Sequence, residues 1–151
     1  MKKIASSLLA ASTFAALFSA ATPALASSEK TMQPIQAALD DSDAKAKLDS
    51  SIKMYFGKSA PAKVVEQLGT DTTSQKANGF GKASDVACKR AFLSSMLQLQ
   101  KRARSLGANA IINIKSNYNH VEFSSETDYE CHVGGLMVGT AFKADFVKAA
   151  E

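Results

Sequence analysis

Apolar residues recur at helical spacing between Asp85 and Leu106, and this is the clearest periodic segment of the chain. Ser84 or Asp85 is a candidate N-cap, and Gly107 is a candidate left-handed stop. The pattern therefore predicts one long amphipathic helix that turns an apolar stripe toward a core. The residues of that stripe are Cys88, Phe92, Met96, Leu99, Ala103 and Leu106.

Shorter runs rich in β-branched and aromatic residues, several of them alternating with polar ones, predict strands on both sides of this helix. The expected strands are 52–56, 64–68, 109–115, 118–123, 128–133 and 135–147. We expect the first two to form a hairpin, and 118–123 to pair with 128–133 across a polar turn. Residues 69–82 are expected to be a loop. In the strand after the helix, Ala110, Ile112 and Ile114 should share a buried face.

Strands joined by short turns and one long helix predict an α+β domain, with a mostly antiparallel sheet and the helix packed on one face. We place this domain at 52–148. Residues 27–51 are polar and predict a loosely packed lead-in with one short helix from Pro34 to Leu39. In the last strand, Leu136, Val138, Thr140, Phe142, Ala144 and Phe146 should lie on one face.

The first 26 residues have the three parts of a secretory signal. Lysines at positions 2 and 3 precede the uncharged run 4–21, and Ala24–Ala26 forms a cleavage site of small residues. We expect a cleavable signal peptide over 1–26, a cut near Ala26–Ser27, and a periplasmic or secreted mature protein. A membrane anchor is the weaker alternative, because the run is rich in Ala and Ser and ends in that cleavage site.

Charge gives little reason to expect an anionic partner. The chain has a formal net charge of +4, and two of its lysines lie in the predicted signal. The basic side chains of the long helix scatter over its polar arc, which is typical of a solvated face. An exported domain with so small an excess of charge is not expected to bind nucleic acid.

The chain has two cysteines, Cys88 and Cys131. An oxidising compartment favours a disulfide between them. The helical stripe turns Cys88 toward the core, where a cysteine on a strand could reach it. Two free thiols or a metal site are the alternatives, and the absence of a C-x-x-C pair makes zinc the weaker of these.

The two histidines, His120 and His132, give the one candidate metal site. A hairpin between their segments could bring His120, Glu122 and His132 together as ligands. The favoured alternative is the solvated outer face of an antiparallel sheet, because polar alternation alone produces this pattern. The inner face of the second segment would then carry Tyr129, Cys131 and Val133.

Catalytic patterns are lacking in the sequence. There is no G-x-S-x-G elbow, no phosphate-binding P-loop and no dinucleotide fingerprint, and Gly79–Gly81 is interpreted as a loop. We expect neither enzymatic activity nor a cofactor. Leu93 and Leu97 flank the helical stripe, where they either widen the buried face or contact a second copy in a homo-oligomer.

The stretch from Ala103 to Ile112, with Gly139–Ala141 later in the chain, resembles the helix-to-strand junction and last strand of the YbjQ-like family and of the RcsF type of envelope lipoprotein. The resemblance covers Ser84–Val147 and implies an α+β domain. In the RcsF type a cysteine before the helix bonds one before the final strand, a pair matched by Cys88 and Cys131. The second disulfide and the lipid-bearing cysteine of that type have no counterpart here, so no stable membrane anchor is expected.

The mature chain, including Val64–Gly69 and Glu122–Ser125, is also similar to small exported proteobacterial proteins that often carry the label "excinuclease ATPase subunit". That label implies ATP-driven DNA repair. The lack of a P-loop and of a zinc-finger cysteine set leaves it unsupported. The sequence therefore predicts a non-catalytic exported binding or structural module with a role in envelope homeostasis. Its partner would be an envelope protein or a small ligand, and the alternative is a periplasmic metal-binding protein.

Overall fold

A long helix lies across one face of a seven-stranded sheet in the computed structural model, which describes residues 28–150. The strands are β1 (Glu29–Pro34), β2 (Lys53–Phe56), β3 (Val64–Asn78), β4 (Ala110–Tyr118), β5 (Val121–Phe123), β6 (Asp128–Val133) and β7 (Met137–Ala149). The helices are α1 (Ile35–Leu39), α2 (Ser42–Lys47) and α3 (Ser84–Leu106). The predicted α+β class and mostly antiparallel sheet are confirmed. The predicted signal peptide lies outside the described residues.

The last strand, β7, is the centre of the sheet. Its whole length pairs with β3 on one side, and its other side pairs first with β6 and then with β4. Beyond these lie β1, antiparallel to β6, and β2, which is parallel to β4. As predicted, every second side chain of β7 from Val138 to Phe146 is buried. Leu136 precedes the strand and is exposed.

Helix α3 covers the sheet with the predicted apolar stripe, and Phe92 stands in the middle of the aromatic core. Its ring lies 4.6 Å from that of Tyr129 and 5.7 Å, edge-on, from that of Phe142. Gly107 ends the helix with a φ of 72°, as expected. The N-cap is Ala83, which makes no side-chain capping bond, so the expectation of a cap from Ser84 or Asp85 was wrong.

A disulfide ties this helix to the sheet, as predicted. Cys88 and Cys131 are joined by an S–S bond of 1.97 Å, and both are fully inaccessible to solvent. The flanking Leu93 is also buried, so it widens the core of its own chain. None of the helices in residues 28–150 is both long and apolar enough to cross a membrane.

The segment predicted as the loop 69–82 is mostly strand. β3 continues to Asn78, and its Thr, Ser and Gln side chains alternate between half-buried and exposed positions. Few apolar residues are needed because β3 is an edge strand with only one face turned toward the helix. The predicted hairpin of 52–56 with 64–68 was therefore wrong: β2 pairs in parallel with β4 through the crossover that contains α3.

The second predicted hairpin was also wrong, since β5 pairs with β4 while β6 lies between β1 and β7. In β4 a bulge between Ile112 and Lys115, with Asn113 at a φ of 52°, shifts the alternation. As a result Ile111 and Ile114 enter the core, where Ile112 had been expected in place of Ile111.

The lead-in is an integral part of the fold, contrary to the expected loose packing. Its residues 29–34 form β1, which pairs with β6 along its whole length. Ile35 and Ala38 of the predicted short helix are buried in the core. Asp41 caps α2 by accepting a 3.0 Å hydrogen bond from the Asp43 amide. This segment supplies the outer strand beside β6, which its polar composition did not indicate.

Candidate functional site

Glu122, the predicted metal ligand on β5, is held between two lysines on the sheet face opposite α3. The Lys115 Nζ lies 2.6 Å from its Oε2, and the Lys143 Nζ donates to its Oε1 at 2.8 Å. The hydrogen bond from Lys115, followed by that from Lys143, lowers the pKa of Glu122 to about 2. A metal ion at this carboxylate would have to displace the ammonium groups of both lysines.

His120 lies in the tight turn that joins β4 to β5. Tyr118 pairs with Val121, so Asn119 and His120 are the two central residues, with φ of 51° and 63°. Two positive φ values mark the turn preferred by two-residue hairpins. The exposed His120 is placed here by backbone geometry, at the end of the hairpin.

His132 lies on β6 beneath a tyrosine, and the solvated outer face expected here was wrong. Its ring stacks on that of Tyr118 with centroids 3.3 Å apart. The neighbouring Glu130 side chain is 7% exposed and pairs with the Lys30 Nζ at 3.2 Å. The His132 Nε2 is buried, makes no hydrogen bond, and lies 3.9 Å from the Glu130 Oε2.

These positions do not combine into a metal centre. Across residues 28–150, no three side chains of the His, Cys, Asp and Glu types form a group that could hold a metal ion. His120, Glu122 and His132 are therefore not brought together as ligands. Each has a separate local environment: a turn, a pair of lysines and an aromatic cover.

A concave surface lies between β3 and the C-terminal half of α3, and we call it the edge groove. It has a volume of about 470 Å³. One wall is the continuous strand segment Asp71–Gln75. The other wall is a stripe of α3 at helical spacing, formed by Gln98, Leu99, Lys101, Arg102 and Ser105.

The strand wall presents backbone groups as well as side chains. The Gly79 amide donates to the Leu136 carbonyl at 2.9 Å, which makes these two residues a hydrogen-bonded pair. Antiparallel ladders alternate such pairs with pairs that do not bond each other. Counting along the register, the N–H and C=O groups of Thr72, Ser74 and Lys76 point away from β7. In the described part of the chain, no strand pairs with this side of β3.

The helix wall is polar, with a buried floor. Leu99 is 1% exposed at its base, while Lys101 and Arg102 are exposed above it. The Arg102 Nε lies 3.1 Å from the Asp71 Oδ2, and both side chains are about half exposed. This ion pair connects the two walls at one end, and Lys101 leaves the groove with an excess positive charge. Such a surface can accept an extended chain along its length.

The sequence interpretation missed this groove because it assigned the residues of its strand wall to a loop. The available signal was the group of threonines Thr70, Thr72 and Thr73, since β-branched residues are enriched in strands. The helix wall was visible only as scattered basic residues on the polar arc of α3.

Comparison of the chain with family models, curated proteins and solved structures gives no match. The resemblance to the YbjQ-like family and the RcsF type stays a prediction from the sequence.

Proposed function

We propose that this protein is an exported, non-catalytic binding module of the periplasm, which takes up an extended segment of an envelope protein as an additional strand along β3. The observation that carries the proposal is the edge groove of about 470 Å³, along which the backbone groups of Ser74 and the Thr72 carbonyl point away from β7. The Thr72 amide donates to the Asp71 Oδ1 at 2.8 Å. A long edge strand with unpaired backbone groups is a template for another strand.

Strand addition fits the chemistry of both walls. Main-chain hydrogen bonds to β3 would supply affinity that does not depend on the sequence of the partner. Every second side chain of the added strand would face α3, where Lys101, Arg102 and Gln98 offer hydrogen-bond donors. The module therefore favours segments with acidic or polar side chains at alternate positions.

Two features support an envelope location. The N-terminal pattern over 1–26 is that of an export signal, and the Cys88–Cys131 bond braces the domain in the way common to exported proteins. With this address, binding of a structural or sensory envelope protein is consistent with a role in envelope homeostasis. Neither feature supports the label that implies DNA repair.

Amide hydrogen exchange followed by NMR tests the proposal residue by residue. In the ligand-free protein the amides of Ser74 and Lys76 should exchange quickly, and those of Thr73 and Gln75, which bond β7, slowly. The probe is an extended peptide selected on the protein from a random library. Its binding should protect the two fast amides, since an added strand bonds every second residue. If the peptide binds through side-chain contacts alone and leaves these amides unprotected, the result would contradict strand addition.

A pair of variants at one position provides the control. Ser74→Pro removes an N–H that faces away from β7, so the β3–β7 ladder should persist and the fold should be kept. The affinity of the selected peptide for this variant should be at least about tenfold lower. Ser74→Ala keeps the N–H and should bind like the unchanged protein. Equal affinity for the proline and alanine variants would overturn the proposal, as would failure to select any peptide.

A further inference from the structure

Three large apolar side chains are exposed together at one end of the sheet, away from the edge groove. Phe80 is 70% exposed, Leu136 65% and Met137 45%. They lie on two neighbouring turns, one that leads from β3 to α3 and one that joins β6 to β7. We call Phe80, Leu136 and Met137 the apolar tip.

Both turns hold the apolar tip in a defined position. The Gly79 carbonyl accepts from the Lys82 amide at 3.2 Å, and Gly81 has a φ of 67°, so Phe80 stands at the first corner of a closed turn. In the other turn the Gly134 amide donates to the Met137 carbonyl at 2.9 Å. The bond from the Gly79 amide to the Leu136 carbonyl joins the two turns. The hydrogen-bonded turns therefore hold Phe80, Leu136 and Met137 in their exposed positions.

Two lysines flank the apolar tip. Lys82 belongs to the first turn, and Lys76 lies on β3 opposite Gly139, two residues from Met137. The acids at this end are Asp85 in the first turn of α3 and Glu29, which pairs with Val133 beside the β6–β7 turn. The two lysines next to the exposed apolar side chains can contact anionic headgroups.

We propose that the apolar tip inserts into the headgroup region of an anionic lipid membrane and holds the protein at its surface reversibly. Three side chains offer on the order of 300 Å² of apolar surface, well below the roughly 800 Å² per partner of a stable protein interface. A projecting apolar tip needs no matching cavity in a fluid bilayer, and the flanking lysines are attracted to anionic lipid.

A single tryptophan at the tip reports insertion directly, because the chain has no native tryptophan. The probe is Phe80→Trp with vesicles of phosphatidylethanolamine containing about 30% phosphatidylglycerol. We expect a blue shift of its emission and quenching by lipids brominated near the headgroup. The matched control is Val65→Trp, since Val65 is 63% exposed and lies at the opposite end of β3. Its emission should stay unchanged.

Sedimentation of the protein with the same vesicles measures affinity. Phe80→Ser combined with Leu136→Ser should weaken binding about tenfold or more, which corresponds to about 1.4 kcal/mol for the two side chains together. Lys76→Gln combined with Lys82→Gln should remove the preference for phosphatidylglycerol over phosphatidylcholine. Circular dichroism would confirm that all four substitutions leave the fold intact, as expected for exposed turn and edge positions.

Two results would overturn the proposal. One is binding by the double serine variant equal to that of the unchanged protein. The other is a blue shift of the Phe80→Trp emission that rises with protein concentration in the absence of lipid, since this would assign the apolar tip to contact with a second copy. The edge-groove variants Ser74→Pro and Ser74→Ala should bind vesicles normally, so failure here is distinguishable from failure of strand addition.

Discussion

Tyr118 lies flat against His132, with ring centroids 3.3 Å apart and ring planes 9° from parallel. The contact buries an imidazole on the face of the sheet opposite α3. Because burial disfavours the charged form, it lowers the pKa of His132 below the usual 6.5, and the Lys30 ammonium adds to this effect. The Glu130 carboxylate acts in the opposite direction but is itself paired with Lys30. His132 is therefore held neutral at neutral pH.

The lowered pKa of His132 predicts a loss of stability in weak acid. As the pH falls below 6.5 the unfolded chain takes up a proton at this histidine before the folded chain does, so the free energy of unfolding decreases. It stops decreasing on this account below the folded pKa. Urea unfolding at about pH 7.5 and about pH 5.5 measures the change.

The control for this prediction is His132→Gln, which cannot titrate. Its free energy of unfolding should vary less over the same pH range than that of the unchanged protein. Tyr118→Ala removes the aromatic cover, so an NMR titration of the His132 ring should show the pKa moving up toward 6.5. A midpoint at or above 6.5 in the unchanged protein would contradict the burial argument.

Removal of the disulfide should be strongly destabilising. Cys88 and Cys131 close a loop with a sequence separation of 43 residues, for which loop entropy alone gives about 4 kcal/mol. The variant Cys88→Ala with Cys131→Ala should show a loss of this order in urea unfolding. The reduced, unmodified chain lacks the cross-link but keeps both cysteine side chains. Its comparison with the double alanine variant separates the effect of the cross-link from the effect of lost side-chain packing. A change below about 1 kcal/mol in both would show that the loop is already constrained in the unfolded chain.

The elements that could be predicted from the sequence are those whose apolar pattern faces the core on one side. Helix α3 shows this, because Phe92, Met96 and Leu99 recur at its period and are buried as expected. The alternation of β7 was predicted for the same reason. The partner of Cys88 followed from compartment and orientation. Local pattern is sufficient where one face is buried and the other is solvated.

The strand pairing could not be predicted, since it depends on contacts far apart along the chain. Nothing local to Lys53 and Met54 indicates that they pair with Ala110 and Ile111 across the whole α3 crossover. In β4 one bulge at Asn113 moved Ile111 into the core. The edge groove was missed for a related reason, because an edge strand beside a polar groove needs so few apolar residues that it resembles a loop.

Replacement of His120 by glycine should stabilise the protein. It occupies the second central position of the β4–β5 turn with a φ of 63°, where an L-residue costs roughly 1–2 kcal/mol. Part of this gain is offset by the greater freedom of glycine in the unfolded chain, so His120→Gly should raise the free energy of unfolding by about 0.5–1 kcal/mol. His120→Ala keeps the strained geometry and should bring no gain. A less stable glycine variant would contradict the turn assignment.

The link between α3 and β7 through Ser95 and Thr140 can be measured by a double-mutant cycle. Their hydroxyl oxygens are 2.9 Å apart, and both residues are almost fully buried. Ser95→Ala leaves the Thr140 hydroxyl without this partner, and Thr140→Val does the same to Ser95, so each should cost about 1–3 kcal/mol. The double variant removes both hydroxyls and should cost less than the sum of the two by at least about 0.5 kcal/mol. Additive losses would mean that each hydroxyl is satisfied independently and that this contact does not couple the helix to the sheet.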